Sequence, residues 1–533
     1  MKKFSITLTQ MNPTVGDLDG NAAKIIDVWK NADSDLVVFP EMVLCGYPPE
    51  DLVLKPTFLE GVRVHIDAYV QASTDLHAAA LIGCPWVIDG RTYNVVHLIY
   101  KGKIVATQAK HHLPNYGVFD EKRIFASGPL PAPIDFNGRK IGVLICEDMW
   151  FADVAAHLKQ QGAEILIVPN ASPFEIGKHA RRIDLAKART GETGLPLVYV
   201  NQIGGQDELV FDGGSFVMDA GGAVVNALAL FEEEVSTFSP PLTPAESSPP
   251  QAGGIEGGSE SIYAALKRGL SDYVRKNGFN GVVLGLSGGV DSALAAAIAA
   301  DALGPQNVHC VMMPSPFTSQ DSLDDAAELA QNLGCPYEII PIQKAMNAFE
   351  STIPDLTGIA HENMQSRIRG LILMALSNSG ANAGGKMVLT TGNKSEMATG
   401  YATLYGDMNG GFNALKDVYK TQVYALCAWR NAQSPVIPPR ILTKAPSAEL
   451  RADQKDQDSL PPYDILDDIL ECLIERDMGI AAIAARGHDE AVVTRVYKLL
   501  RASEYKRYQA PPGTKITSRA FGRDRRYPMT NGF

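Results

Sequence analysis

Ser287-Gly-Gly-Val-Asp-Ser292 closes an apolar run at residues 282–286 and opens an alanine-rich segment at 293–303. An apolar strand that runs through a glycine turn into a helix start is a phosphate cradle. Backbone N–H groups around Gly288 and Gly289 can approach an anion because no side chain intervenes. The helix N-terminus adds a favourable dipole, and Ser287 and Ser292 supply hydroxyl donors. Asp291 departs from a plain anion site: a carboxylate beside phosphates repels them unless a cation sits between, which implies Mg²⁺ held jointly by protein and nucleotide. A glycine turn with a helix-capping serine is the plainer reading of the same residues.

The ordinary phosphate-loop pattern, G-x-x-x-x-G-K-[ST], is absent, and no lysine occupies the loop. S-G-G-x-D-S instead resembles the PP-loop of ATP pyrophosphatases. The resemblance implies an enzyme that splits ATP between its α- and β-phosphates, holds the departing pyrophosphate and transfers AMP to a substrate oxygen. It places ATP on Leu286, Ser287, Gly288, Gly289, Val290, Asp291, Ser292 and Ala293.

A chain of 533 residues exceeds one ordinary core and predicts two or three domains. Its formal charge of −12 argues against a general nucleic-acid or anionic-membrane binder. Seven cysteines, at 45, 84, 146, 310, 335, 427 and 472, make no C-x-x-C pair, and an odd count of scattered thiols suits a reducing compartment. Met1-Lys-Lys begins like a secretory leader, but Gln10, Asn12 and Asp17 interrupt any apolar stretch. A cytoplasmic protein with no membrane span is expected.

Residues 238–258 (FSPPLTPAESSPPQAGGIEGG) concentrate proline, glycine and serine, the composition of a linker. They separate a predicted domain at 1–237 from one at 259–533. In the first, apolar runs at 4–8, 36–39, 80–82, 141–145, 165–168 and 197–200 alternate with helical stretches at 21–30 and 183–190. In the second, Ser261 is expected to cap a helix, and strands are predicted at 282–286, 308–313, 337–340 and 387–390 with helices between them. That alternation implies a doubly wound parallel sheet with ligands at the carboxyl ends of its strands.

Ile141-Gly-Val-Leu-Ile-Cys146-Glu-Asp-Met-Trp150 is a buried-strand pattern ending in a cysteine, followed by acids that can open a helix. A thiol at such a turn gains thiolate stabilisation from the helix N-terminus and projects into a cleft, although an isolated cysteine is more often a buried structural thiol. Val37-Val-Phe-Pro-Glu41 ends another strand in a carboxylate, and Ala109-Lys110-His-His-Leu-Pro114 sets a lysine before a proline turn. Together, F-P-E, K-x-x-L-P and C-E-D in this order resemble the Glu-Lys-Cys set of the nitrilase superfamily. The resemblance spans about residues 1–235 and implies a four-layer αββα sandwich.

In the implied roles, Glu41 is the general base for Cys146, and Lys110 stabilises the tetrahedral oxyanion alongside the Glu147 backbone N–H. His111 and His112 are alternative bases, but no metal-ligand spacing accompanies them, and they are read as structural. Tyr116, Glu147, Ser172 and Lys178 match positions that hold glutamine in nitrilase-type glutaminase domains. Lys178 would pair with the α-carboxylate and Glu147 with the α-ammonium.

A glutaminase joined to an ATP pyrophosphatase makes an amidotransferase. The segments Glu362-Asn-Met-Gln-Ser-Arg-Ile-Arg-Gly370, Thr390-Thr-Gly-Asn-Lys-Ser-Glu396, Phe412-Asn-Ala-Leu-Lys-Asp-Val-Tyr-Lys420 and Pro446-Ser-Ala-Glu-Leu-Arg451 closely resemble the glutamine-dependent NAD⁺ synthetase family over nearly the whole chain. The resemblance implies conversion of deamido-NAD⁺, ATP and glutamine into NAD⁺, AMP, pyrophosphate and glutamate. It adds Thr391 to the ATP site, assigns Asn363, Glu396 and Lys515 to deamido-NAD⁺, and gives Asp291 and Glu396 to Mg²⁺; Lys420 is a further candidate for the ATP phosphates. Glu396 read alone is a first-turn helix acid favouring the dipole. A homo-oligomer is expected, and because ammonia must not be protonated in transit, a protected path between the sites is expected too. An amidotransferase with another acceptor remains the alternative.

Overall fold

The computed structural model describes residues 4–239, 258–379, 385–452 and 454–532. The chain forms two compact units, Met1–Glu256 and Gly257–Phe533. Residues 240–257 of the linker predicted at 238–258 lie outside the described residues. At its near end the expectation needs correction: Phe238 ends strand Glu234–Phe238 and pairs with Ile6. Its side chain packs against the apolar layer around Ile6 and Leu8, which continues the sheet past the composition boundary.

Two six-stranded sheets and a two-stranded ribbon, Ile203–Gln206 with Leu209–Asp212, make the first unit. The strand periodicity explains the layering, since successive side chains point to opposite faces. In strand Leu36–Val38, Leu36 and Val38 join Ile6, Leu8, Ile141, Val143, Ile165 and Ile167 in the layer between the sheets. Val37 points the other way, into a layer with Ile25 and Trp29 of helix Leu18–Asn31 and with Val62 and Ile66 of helix Pro56–Ala72. On the far side, Leu166 and Val168 meet Val154 and Leu158 of helix Ala152–Gln160 and Ala186 of helix Lys178–Thr193. Three apolar layers between helix, sheet, sheet and helix are the αββα sandwich expected from the sequence. Strands covered on both faces read as continuous apolar runs, which is why they were visible there.

The second unit holds a five-stranded, all-parallel sheet. Across the sheet the strands run Tyr337–Ile339, Val308–Met312, Gly281–Gly285, Lys386–Thr390 and Phe412–Asn413. The first strand in sequence is central, so the winding reverses between Gly281–Gly285 and Lys386–Thr390, and ligands of such sheets bind outside the carboxyl ends at that switch. Helix Val290–Leu303 follows the central strand and is buried along its length from Ser292 to Ala300, as its alanines allow. Ser261 does not cap the preceding helix. That helix starts at Ser259 with Gly258 at the cap, and the Ser261 hydroxyl donates back to the Gly258 carbonyl at 3.1 Å.

Candidate active sites

Glu41 follows strand Leu36–Val38 through Phe39-Pro40 and is fully buried. The chain passes there against Gly83, where a Cβ would lie 2.5 Å from the Met42 nitrogen, so the close approach requires glycine. Asn94 Nδ2 donates to Glu41 Oε1 at 2.7 Å, and the Ala171 N–H donates to Oε2 at 3.1 Å. Lys110, directly after strand Lys103–Ala109, is also fully buried, and its Nζ lies 2.8 Å from Glu41 Oε1.

The same ammonium is 2.8 Å from Glu121 Oε1, which also accepts from the Tyr47 hydroxyl at 2.8 Å. Burial opposes the charge on Lys110, but Glu121 and Glu41 outweigh it and hold the lysine protonated. Burial pushes Glu121 up to about 7, against the pull of Lys110 and with the push of Glu41. The cluster is thus one cation between two carboxyl groups.

Cys146 follows strand Arg139–Val143 by way of Leu144 and Ile145 and adopts φ +49°, a left-handed conformation costly for a side chain with a Cβ. Strain of that kind at a strand-to-helix turn is what a nucleophile elbow requires. The electrostatics differ from expectation. Cys146–Trp150 is a single five-residue 3₁₀ turn, too short to supply much dipole, and burial, then Glu41, push the thiol well above its ordinary value despite Lys110. The residue is held as a thiol, so nucleophilicity there depends on a base.

Tyr116 and Glu147 come together, with the phenol 3.1 Å from both Glu147 oxygens, and burial raises the Glu147 carboxyl. Ser172 is fixed by Asn201, which accepts from its N–H at 2.9 Å, and by Arg182, whose Nε donates to its hydroxyl at 3.1 Å. Lys178 opens helix Lys178–Thr193 with its Nζ 3.6 Å from Glu175 and 5.7 Å from the Phe119 ring centroid. Glu121, Asn94, Tyr47 and Arg182 join these groups without any motif in the sequence to mark them. Arg182 is fully buried one turn beyond Lys178 and bridges Ser172 to Asp212 at 2.8 Å.

The backbone N–H groups of His111 and His112 donate to Asp148 Oδ1 at 3.1 and 2.8 Å. No metal-ligand spacing accompanies them in the sequence, but the fold brings Asp153 to the pair.

In the second unit a cavity of about 290 Å³ opens at the switch point, lined by Leu286 to Ser292, Thr391, Glu396, Lys420 and Asp456 among others. Gly288 has φ +77°, and a Cβ there would lie 2.4 Å from the Ser322 carbonyl, so only glycine forms this turn. The Ser287 and Ser292 hydroxyls lie 3.1 Å apart, and Ser292 donates to the Gly289 carbonyl at 3.0 Å.

Asp291 accepts from Asn393 Nδ2 at 2.9 Å and from Lys420 Nζ. Lys420 Nζ is also 3.8 Å from Glu396. Burial, then the neighbouring Asp291, push the Glu396 carboxyl well above its usual range, the signature of two carboxylates sharing too little positive charge. Asp456, missed in the sequence, adds a third carboxyl to the cavity, with one oxygen 2.8 Å from the Tyr463 hydroxyl.

Three assigned residues lie apart from the cavity lining: Ala293, which is fully buried in its helix, Asn363 and Lys515. Asn363 Oδ1 accepts from the Thr403 hydroxyl at 2.9 Å. Lys515 is buried, with Nζ 2.7 Å from Asp524 and bonded to the Thr517 carbonyl.

The two units fall into two enzyme classes. Residues 5–242 match the carbon–nitrogen hydrolase family and residues 262–510 the NAD synthase family. The chain is 49% identical to the glutamine-dependent NAD(+) synthetase of Rhodobacter capsulatus, covering 99% of this chain and 98% of that one, and 44% identical to that of Thermotoga maritima, covering 100% and 99%. The solved glutamine-dependent NAD+ synthetase of Acinetobacter baumannii in complex with adenosine diphosphate is 42% identical, with a TM-score of 0.78 over 99% of this chain and 98% of that one. The chain belongs to the glutamine-dependent NAD(+) synthetase family.

Proposed function

We propose that the protein amidates deamido-NAD⁺ to NAD⁺ at the expense of ATP, using ammonia from glutamine, and releases AMP, pyrophosphate and glutamate. The observation that carries this reading is the joint presence, in one chain of that family, of a lysine clamped between carboxylates beside a strained cysteine and a glycine cradle at a parallel-sheet switch point. We assign glutamine cleavage to residues 1–237, a linker to 238–258 and synthesis to 259–533.

Glu41 takes the Cys146 proton, and the thiolate attacks the side-chain amide of glutamine. Lys110 and the Glu147 N–H stabilise the oxyanion. Glu41 returns the proton to the leaving ammonia, and water hydrolyses the thioester. Tyr116, Glu147, Ser172 and Lys178 hold glutamine, with Glu147 on its ammonium and Lys178 on its carboxylate. Arg182 serves by fixing Ser172.

The nicotinate carboxylate attacks the α-phosphorus of ATP, pyrophosphate departs into the cradle formed by Leu286 to Ala293 with Thr391, and ammonia displaces AMP from the acyl adenylate. Asp291 and Glu396 would hold Mg²⁺, and the oxygen-only donor pair with the raised Glu396 carboxyl fits a hard cation. Bound there, the ion would neutralise charge on the polyphosphate. Lys420 then faces the phosphates. Asn363 and Glu396 border the dinucleotide, whereas Lys515 would have to leave Asp524 to reach it. Seven free, buried cysteines suit a reducing compartment, so we place the activity in the cytoplasm and expect a homo-oligomer.

Cys146→Ala tests the reading. It should abolish NAD⁺ formation from glutamine and preserve formation from concentrated ammonium; loss of both in a folded variant would refute it.

A further inference from the structure

The His111, His112 and Asp153 cluster is used by neither reaction. One ring nitrogen of each histidine and one Asp153 oxygen all lie within 4.8 Å of one another. Among the described residues it is the group of histidine and acid side chains spaced for a metal ion. We propose that these three residues bind a divalent transition cation of the zinc class at the surface of the first unit.

Donor chemistry carries the argument. Two imidazoles and one carboxylate are the ligands that first-row transition ions prefer over magnesium or calcium, and three protein ligands leave a coordination position for water. His111 is oriented as metal-bound histidines usually are. Its Nδ1 lies 2.7 Å from the Gly128 carbonyl, which can only accept, so Nδ1 carries the proton and the lone pair is left on Nε2. His112 Nε2 already sits 2.9 and 3.0 Å from the two Asp153 oxygens.

The rings are held in place. His112 stacks on Phe151 with centroids 4.1 Å apart, and His111 meets His112 edge-on at 4.6 Å. The backbone beneath is fixed by Asp148, which accepts from both histidine N–H groups and, through its other oxygen, from Ile145 at 3.0 Å. Little ordering would therefore be left for the ion to impose. The Asp153 side chain is 51% exposed, so water can complete the coordination.

The cluster also lies one residue beyond Lys110 and, through Asp148, one residue before Cys146. An ion there would tie together the two segments that carry the amide-cleaving groups.

The test is zinc uptake by the full chain in excess Mg²⁺, which occupies carboxylate-only sites, measured by equilibrium dialysis and repeated with Co²⁺ to read the ligand type from its absorption. The parent protein should take up zinc tightly, its Co²⁺ spectrum should lack sulfur charge-transfer bands, and zinc should raise its melting temperature. That uptake should persist in Cys146→Ala and disappear in His112→Gln and in Asp153→Asn. The latter replaces a half-exposed carboxylate by an isosteric amide, and its melting in the absence of zinc should match the parent. Equal uptake by the parent and Asp153→Asn, no uptake by the parent, or loss of uptake in Cys146→Ala would overturn the proposal and leave His112 and Asp153 as an ion pair only.

Discussion

Glu121 Oε1 lies 2.8 Å from Lys110 Nζ, on the same ammonium that Glu41 Oε1 meets at 2.8 Å. A buried lysine flanked by one carboxylate would be neutralised by it. Burial pushes the Glu121 carboxyl up to about 7 against the pull of Lys110, so it takes up a proton as pH falls through that range. Above that range the two carboxylates together keep the buried Lys110 ammonium charged.

Glu121→Gln should lower glutamine-supported turnover by about 10²-fold, comparable to loss of an oxyanion donor, because Lys110 loses an anchor. Ammonium-supported turnover should be unchanged. The variant also has a pH signature. Folding raises the Glu121 carboxyl from 4.5 to about 7, so the native state binds more protons in that window and stability falls as pH rises through it. In Glu121→Gln this part of the fall should vanish. A pH-dependent urea titration that matches the parent would show that Glu121 does not titrate there.

Asp291→Asn should impair synthesis from either nitrogen source yet leave Cys146 open to a glutamine-like diazo ketone, since the carboxylate sits in the other unit against Lys420 and Asn393. Mass spectrometry of the labelled protein checks this. Absence of the label would mean that the second unit assembles the first site.

Lys515→Ala should act first on stability. Breaking a buried pair such as Lys515 and Asp524 costs about 3–5 kcal/mol, because the partner is left buried and uncompensated. The melting temperature should fall, and Lys515→Ala with Asp524→Ala should recover part of it. A variant with unchanged melting but a raised KM for deamido-NAD⁺ would instead support the assignment of Lys515 to the dinucleotide.

The sequence exposes what depends on local pattern. Strands covered on both faces appear as apolar runs, Glu41 and Cys146 just beyond them are legible through the ordered F-P-E, K-x-x-L-P and C-E-D set, and the glycine cradle has a fixed spacing because Gly288 must adopt a positive φ. What it hides depends on burial of polar groups brought from afar. Glu121 sits in an ordinary charged stretch, Asp-Glu-Lys-Arg, and nothing local reveals that it is 3% exposed under Lys110. The same holds for Arg182 and Asp456. Lys515 is assigned to deamido-NAD⁺ by the family resemblance, and nothing local in the sequence reveals Asp524, nine residues on, as its buried partner.

The central claim is that ammonia freed at Cys146 becomes the amide of NAD⁺. Its most direct test is to incubate the purified protein with Mg-ATP, deamido-NAD⁺ and glutamine labelled with ¹⁵N in the side-chain amide, and to weigh the NAD⁺ formed. The account predicts NAD⁺ one mass unit heavier, formed in step with AMP and pyrophosphate and absent with Cys146→Ala. Unlabelled NAD⁺, or glutamine hydrolysis with no NAD⁺ at all, would contradict it.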